Sequence, residues 1–217
     1  NNKFFFIDGE DDNVIENKYS RLGLYFKREL VRKQTKILPI NFAIPKSKIV
    51  NEIDKNPKNL LAPLIPGKIG TYIYSDENSY YEMYKKSIFA LTYKKAGWDS
   101  LRHYEILMNG CIPLFLDIKN CPPDTLTKLP KDKLIEILNE FSEILKFYNP
   151  LKIFKKKHLT FDRILSLFSL KSEKNGLEIF LKDNEAIFEI KNNLLDFTKK
   201  RLTTEVLAKN TLESFKG

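Results

Sequence analysis

Two short, wholly apolar runs, "IFAL" at 88–91 and "CIPLFL" at 111–116, flank a charged stretch of helical length. An apolar run with no polar alternation reads as a strand covered on both faces, and such strands belong to parallel sheets. Parallel neighbours need a crossover, which the helix between them supplies. "DENSYYEMYKKS" before the first run and "KDKLIEILNEFSEILKFY" after the second both carry helical apolar spacing. Helix and strand therefore alternate through the middle of the chain. The expected class is α/β, with a parallel sheet covered by helices on both faces and a helix-rich C-terminal part.

The flanks are less regular. "KFFFIDGEDDN" predicts a buried strand over 4–7 that runs into an acidic turn. "GLYFKREL" fits either a strand or a short helix. "KILPINFAIP" carries Pro39 and Pro45, so it is extended, at a sheet edge or in a linker. "SKIVNEIDKN" predicts a helix from Ser47 that ends at Asn56–Pro57. "LEIFLK" is a further candidate strand, and one long helix is expected over 187–212, with Thr203 and Thr204 capping or starting part of it.

With 217 residues, the chain is long enough for a full core, and it is treated as one α/β domain over 1–217. No apolar run approaches the roughly 18 residues of a membrane span, and no signal-peptide pattern is visible. A cytoplasmic location is expected. Cys111 and Cys121 lack CxxC spacing, and with only His103 and His158 beside them they do not make a zinc set. Reduced thiols are the expectation.

The formal net charge of +9 points to anionic partners. The densest basic cluster runs from Lys152 to His158 and reads as a solvated helix end or loop, or as a peripheral contact with the inner face of a membrane. Basic and acidic residues are otherwise interspersed and no common nucleic-acid motif is present, so nucleic acid is disfavoured.

The chemistry concentrates in "KKAGWDSLRHYEILMNGCIPLF", 94–115. A strand leads through Ala96 and Gly97 into a helix whose N-cap is Asp99 or Ser100. In open α/β sheets ligands collect outside the carboxyl ends of strands, where helix N-termini present unpaired N–H groups. Arg102 falls in the first helical turn, where a cation opposes the helix dipole by about 0.3–1 kcal/mol unless something compensates. Asp99 supplies that compensation as a cap. Alternatively, Arg102 completes an anion site with Lys94 or Lys95. Arg102, Glu105 and Asn109 share one face, so Arg102–Glu105 is either an ordinary helix pair or part of a ligand site in which Glu105 accepts from sugar hydroxyls. Gly110 is the expected C-terminal cap residue.

The segment "SIFALTYKKAGWDSLRHYEILMNGCIPLFLD" resembles the donor-binding half of GT-B glycosyltransferases, in particular the exostosin-like and fucosyltransferase-like groups. It looks most like bacterial and large-virus sequences with "GWDxxRHYEIxxNGCIP". Weaker likeness extends to "IDGEDD", "GLYFKREL", "FAIP" and "LLDFTKKRLTTEVLAKNTL". The resemblance implies a Rossmann-like domain that binds a nucleoside-diphosphate sugar and transfers the sugar to a saccharide hydroxyl in surface-glycan synthesis. Lys95, Gly97, Trp98, Asp99, Ser100 and Arg102 would hold the diphosphate, and Glu105 the ribose or sugar. Trp98 either stacks on a base or sugar, or closes the core.

The family generally needs no bound metal. It uses two such halves, so an acceptor-binding half would precede Asn1 or come from a partner, with 1–50 as the connection. The general base is unassigned. Asp8, Glu10 and Asp11 are candidates, and with Asp12 they read either as a solvated turn, as a base facing the cleft, or as carboxylates for a metal-bound diphosphate. His103 follows Arg102 around the helix and is the weakest candidate base. A non-catalytic nucleotide- or glycan-binding module is the main alternative, and a basic nucleic-acid-binding domain the second.

Overall fold

A computed structural model describes residues 4–141 and 185–216. The chain is α/β, with two parallel three-stranded sheets instead of one continuous sheet. The first contains β1 (Phe5–Asp8), β2 (Leu24–Lys27) and β3 (Ile37–Pro39) in that order, with α1 (Asn17–Leu22) as the β1–β2 crossover. Residues 1–50, assigned from sequence to a connection, thus carry a sheet of their own. β1 is not buried as expected. Among the described residues it is an edge strand, paired only with β2, and it leaves Phe5 and Ile7 exposed. "LYFK" resolves as a strand because Tyr25 and Phe26 have sheet neighbours on both sides.

The second sheet, β4 (Asn59–Leu61), β5 (Ser87–Thr92) and β6 (Ile112–Phe115), is also parallel and in chain order. Every residue of β5 and β6 is buried, as their unbroken apolar runs require. α2 (Glu77–Lys85) covers one face with Met83 and Tyr84, which pack with Ala62, Ala90, Ile106 and Cys111. On the other face Phe89, Leu91 and Leu114 lie in one core cluster with Leu134, Ile137 and Leu138 of α4 (Lys131–Glu140) and Leu194 and Leu195 of α5 (Glu185–Arg201). α3 (Leu101–Met108) is the β5–β6 crossover. It ends at Gly110, whose N–H returns to the Leu107 carbonyl at a left-handed φ of 66°. Both cysteines are free.

Two helix expectations are corrected. The segment from Ser47 forms only a three-residue 3-10 turn, Lys46–Lys48. Beyond it the chain runs over the core, burying Ile49 and Ile53, while the Val50 N–H takes the Met108 carbonyl. That backbone bond to another element displaces the intrahelical bond a helix would need. The C-terminal helix is divided into α5 and α6 (Thr204–Lys216). The break is a backbone exchange in which Ile44 N–H donates to Leu202 O and Thr204 N–H to Ile44 O. Thr203 Oγ1 then accepts the Val206 N–H and caps α6, as expected. The cluster Lys152–His158, the "LEIFLK" strand and the end of the fourth helix's pattern lie outside the described residues.

No helix among the described residues is long and apolar enough to cross a membrane. No group of three or more His, Cys, Asp or Glu among them is placed to hold a metal.

Candidate anion site at the carboxyl end of strand β5

The loop 93–100 leaves β5 and is fixed almost atom by atom. The Lys94 N–H donates to the Asp117 carboxylate at 3.1 and 3.2 Å, and the Lys95 N–H to Gly97 O at 3.2 Å. Trp98 N–H and Asp99 N–H donate to the two oxygens of Glu29, at 2.8 and 2.9 Å. These are N–H groups that the sequence assigned to an anion, and here the anion is a carboxylate of the chain itself. Arg28 donates to the Asp99 carbonyl. A Cβ on Gly97 would stand 2.6 Å from Glu29 Oε1, which is why a residue without a side chain occupies the turn.

Asp99 and Ser100 divide the capping role differently from expectation. Ser100 is the N-cap of α3 by position, yet its side chain makes no capping bond. The Asp99 carboxylate turns inward, only 2% exposed, and accepts from Phe42 N–H at 2.7 Å and Tyr104 Oη at 2.8 Å. Burial pushes its pKa up to about 6, against the pull of those two hydrogen bonds.

His103 is buried beneath the loop. Its Nε2 faces the Trp98 carbonyl at 2.9 Å, and a carbonyl only accepts, so Nε2 carries the proton. Nδ1 then accepts from Thr92 Oγ1 at 2.8 Å. Desolvation pushes this imidazole down to about 4, and the neutral ring stacks on Phe115. His103 ties the loop to β5 and has no free nitrogen for base chemistry. Trp98 packs against the core with Phe115 at 6.4 Å between ring centres, and Lys94 Nζ lies 5.8 Å over its ring.

The acidic turn after β1 meets this loop through two consecutive residues at the end of β2. Lys27 is fully buried and pairs with Asp8 at 3.0 Å and Asp12 at 3.2 Å. Asp8 also accepts from Tyr25 Oη and the Glu10 N–H. Burial alone would raise Asp8, but Tyr25, the Glu10 N–H and Lys27 together hold it below the usual carboxylate range. Asp11 pairs with Arg28, and Glu10 is exposed. Asp8 and Asp11 are thus both bound to cations, an arrangement that suits structure better than proton abstraction.

Arg102 and Glu105 occupy the other side of the α3 N-terminus. Among the described residues they do not pair with each other, and tyrosines come between. Arg102 Nη2 donates to Tyr72 Oη at 3.0 Å, and the guanidinium lies 5.8 Å from the Tyr72 ring centre. Its Nε and Nη1 are shut away from solvent with no hydrogen-bond partner among the described residues. Burial opposes the Arg102 charge, and the oxygens of Tyr72, Tyr84 and Tyr80 outweigh it, raising the pKa. Glu105 accepts from Tyr80 Oη at 2.9 Å, and burial raises its pKa against that bond and the Arg102 charge. Asn109 continues the face, donating to the Glu105 carbonyl at 2.8 Å. Lys95 is exposed, with Nζ 5.9 Å over the Tyr72 ring.

The expected residues therefore separate into two groups. Gly97, Trp98 and Asp99 face the acidic turn and are internally satisfied, whereas Lys95, Arg102 and Glu105 gather around Tyr72 and Tyr80. Sequence reasoning missed Arg28, Glu29 and Tyr72. Three charges, "KRE", directly after an apolar strand were the available signal for the first two. A hollow of about 390 Å³ lined by Glu52, Asp54, Glu82, Lys86 and Asn109 lies at the opposite end of β5. Its Lys86 is paired with Asp54 at 2.6 Å.

No protein-family model, curated protein or solved structure matches the chain.

Proposed function

We propose that this chain is the nucleotide-sugar-binding half of a GT-B-type glycosyltransferase, with the diphosphate seated at Arg102 and Lys95. The observation that carries the reading is Arg102 itself. It is a cation in the first turn of the helix that follows a parallel strand, and two of its donors are sealed and without a partner among the described residues. A buried unsatisfied donor costs free energy, of the order of 1–3 kcal/mol, so a fold retains it where an anion takes it up. A diphosphate there would also meet the positive end of the α3 dipole. Arg102 and Lys95 would offset the charge of the leaving diphosphate, and Glu105 would accept from a hydroxyl of ribose or sugar.

A second reading has its own support. Asp8 and Asp11 are held in ion pairs with Lys27 and Arg28, and His103 has both nitrogens engaged. A binding module whose partner contributes the base fits that arrangement. The test is a thermal-shift series with UDP, GDP, CDP, dTDP and a short oligonucleotide, on the wild type and Arg102→Ala. A rise selective for one diphosphate and lost in the variant is expected. Stabilisation by the oligonucleotide alone would overturn both readings. Sugar transfer to a saccharide by the isolated chain would set aside the module.

A further inference from the structure

The segment 65–72, "IPGKIGTY", folds over the Arg102 side of the site. Its shape is set by Thr71, whose hydroxyl bonds the Ile65 N–H at 3.0 Å and the Lys68 carbonyl at 2.7 Å. Gly67 turns with φ at 79°, a left-handed value that glycine adopts without strain, and its N–H points back at the end of the segment. There it donates to Tyr72 Oη at 3.1 Å, the same oxygen that accepts from Arg102 Nη2 at 3.0 Å. One phenolic oxygen thus receives a backbone N–H and a guanidinium N–H, with Lys95 over the ring. Desolvation opposes ionisation of Tyr72, but the Gly67 N–H, Arg102 and Lys95 overcome it and draw its pKa below the ordinary phenol value. The surroundings of this oxygen are those of an anionic oxygen. Charge-assisted donors converging on one point are how proteins hold phosphate.

We infer that Tyr72 Oη occupies the position of a phosphate oxygen, in a subsite made by the Gly67 N–H, Arg102 and Lys95, and that a bound diphosphate displaces it. The inference rests on the proposed function only in taking the anion to be a nucleoside diphosphate. The subsite itself requires only anionic oxygens such as those of a phosphate. Three features support displacement over permanent closure. Tyr72 is 42% exposed and lies between the exposed Ile69 and Ile73, so its ring can leave without opening the core. Arg102 makes one hydrogen bond through this tyrosine, and its Nε and Nη1 have no partner among the described residues, so the hydroxyl satisfies the cation only in part. A phosphate group brings several acceptor oxygens where the phenol brings one. Tyr72 is accordingly a competitor for the site and not a contributor to binding.

The test is isothermal titration of the chain with the four nucleoside diphosphates and with inorganic pyrophosphate, on wild type, Tyr72→Phe, Tyr72→Ala and Arg102→Ala. Without the competing hydroxyl, Tyr72→Phe is expected to bind its preferred diphosphate roughly three- to tenfold more tightly, the worth of one hydrogen bond. Arg102→Ala is expected to lose binding. Arg102-dependent binding that Tyr72→Phe leaves unchanged or weakens would overturn the displacement and leave the donor-site reading standing. Pyrophosphate binding that Tyr72→Phe strengthens, with no preference among nucleosides, would support the subsite and overturn the nucleotide reading. No binding by any variant would overturn both. Tyr72→Ala guards against a folding artefact in Tyr72→Phe, since both remove the hydroxyl and both are expected to tighten pyrophosphate.

Discussion

Two arginines flank the same helix N-terminus and are treated by the fold in opposite ways. Arg28 is 4% exposed and uses its guanidinium fully: Nε reaches Gly9 O at 2.9 Å, Nη1 the Asp99 carbonyl and Glu29, and Nη2 the Asp11 carboxylate. Phe42 stacks 4.6 Å from it. Arg102 donates to the Tyr72 hydroxyl and also draws on Tyr80, yet two sealed donors, Nε and Nη1, have no partner among the described residues. A buried cation whose donors are all met joins parts of a structure together, here the ends of the two sheets. One whose donors are unmet stores a mismatch that a ligand can relieve. Location at a helix N-terminus does not distinguish them, but hydrogen-bond satisfaction does.

Removing each side chain tests the distinction most strongly. Arg28→Ala leaves Glu29 and the Asp99 carbonyl buried without it, and is expected to lower unfolding free energy by about 3–5 kcal/mol. Arg102→Ala deletes two unsatisfied donors along with one bond, so its loss is expected to stay within about 1 kcal/mol. Urea denaturation at pH 7 measures both. Equal losses would mean that satisfaction is not what separates the two sites.

Acid titration on the Arg28 side gives an effect of intermediate size. Asp99 has a folded pKa of about 6, above its unfolded value, so it contributes stability at low pH that is lost as pH rises to 6. His103 has a folded pKa of about 4, below its unfolded value. It contributes stability present above pH 6.5 that is lost as pH falls toward 4. The two contributions oppose each other over nearly the same window, each about 3 kcal/mol in full. Asp99→Asn is therefore expected to make stability fall more steeply with acid than in wild type between pH 6.5 and 4. His103→Gln is expected to shift the slope the other way. Urea midpoints across that range read the two slopes, and parallel profiles for all three proteins would refute the burial argument.

These details were legible in the sequence to different depths. The β5–α3–β6 unit could be read because uninterrupted apolar strands, a Ser100 start and a Gly110 stop are local signals. Arg102 was legible for the same reason, as a cation misplaced against a helix dipole. The helix expected from Ser47 failed because Ile49, Val50 and Ile53 have helical spacing, while a backbone bond to Met108 decided their conformation. Glu29 was out of reach altogether. It meets the Asp99 N–H across 70 positions of sequence, and only the parallel arrangement of two separate sheets brings it there. Tyr72 was hidden similarly, since a tyrosine in a Gly-rich turn gives no sign that its oxygen will meet an arginine 30 positions away.

The smallest effect concerns the caps, and it bears on whether the α3 N-terminus is built for itself or for a ligand. Asp76 caps α2 conventionally, with Oδ1 accepting the Ser79 N–H at 2.8 Å. Asp76→Ala is therefore expected to cost about 1 kcal/mol. Ser100 stands in the same position on α3 but makes no side-chain capping bond. Ser100→Ala is thus expected to change stability by less than about 0.5 kcal/mol, within the range of an ordinary surface substitution. The same substitution is expected to weaken diphosphate binding, because a hydroxyl not spent on the helix remains available to an anion at its end. A Ser100→Ala protein as destabilised as Asp76→Ala would show that the hydroxyl caps α3 in solution, and would move Ser100 from the ligand side of the comparison to the structural side.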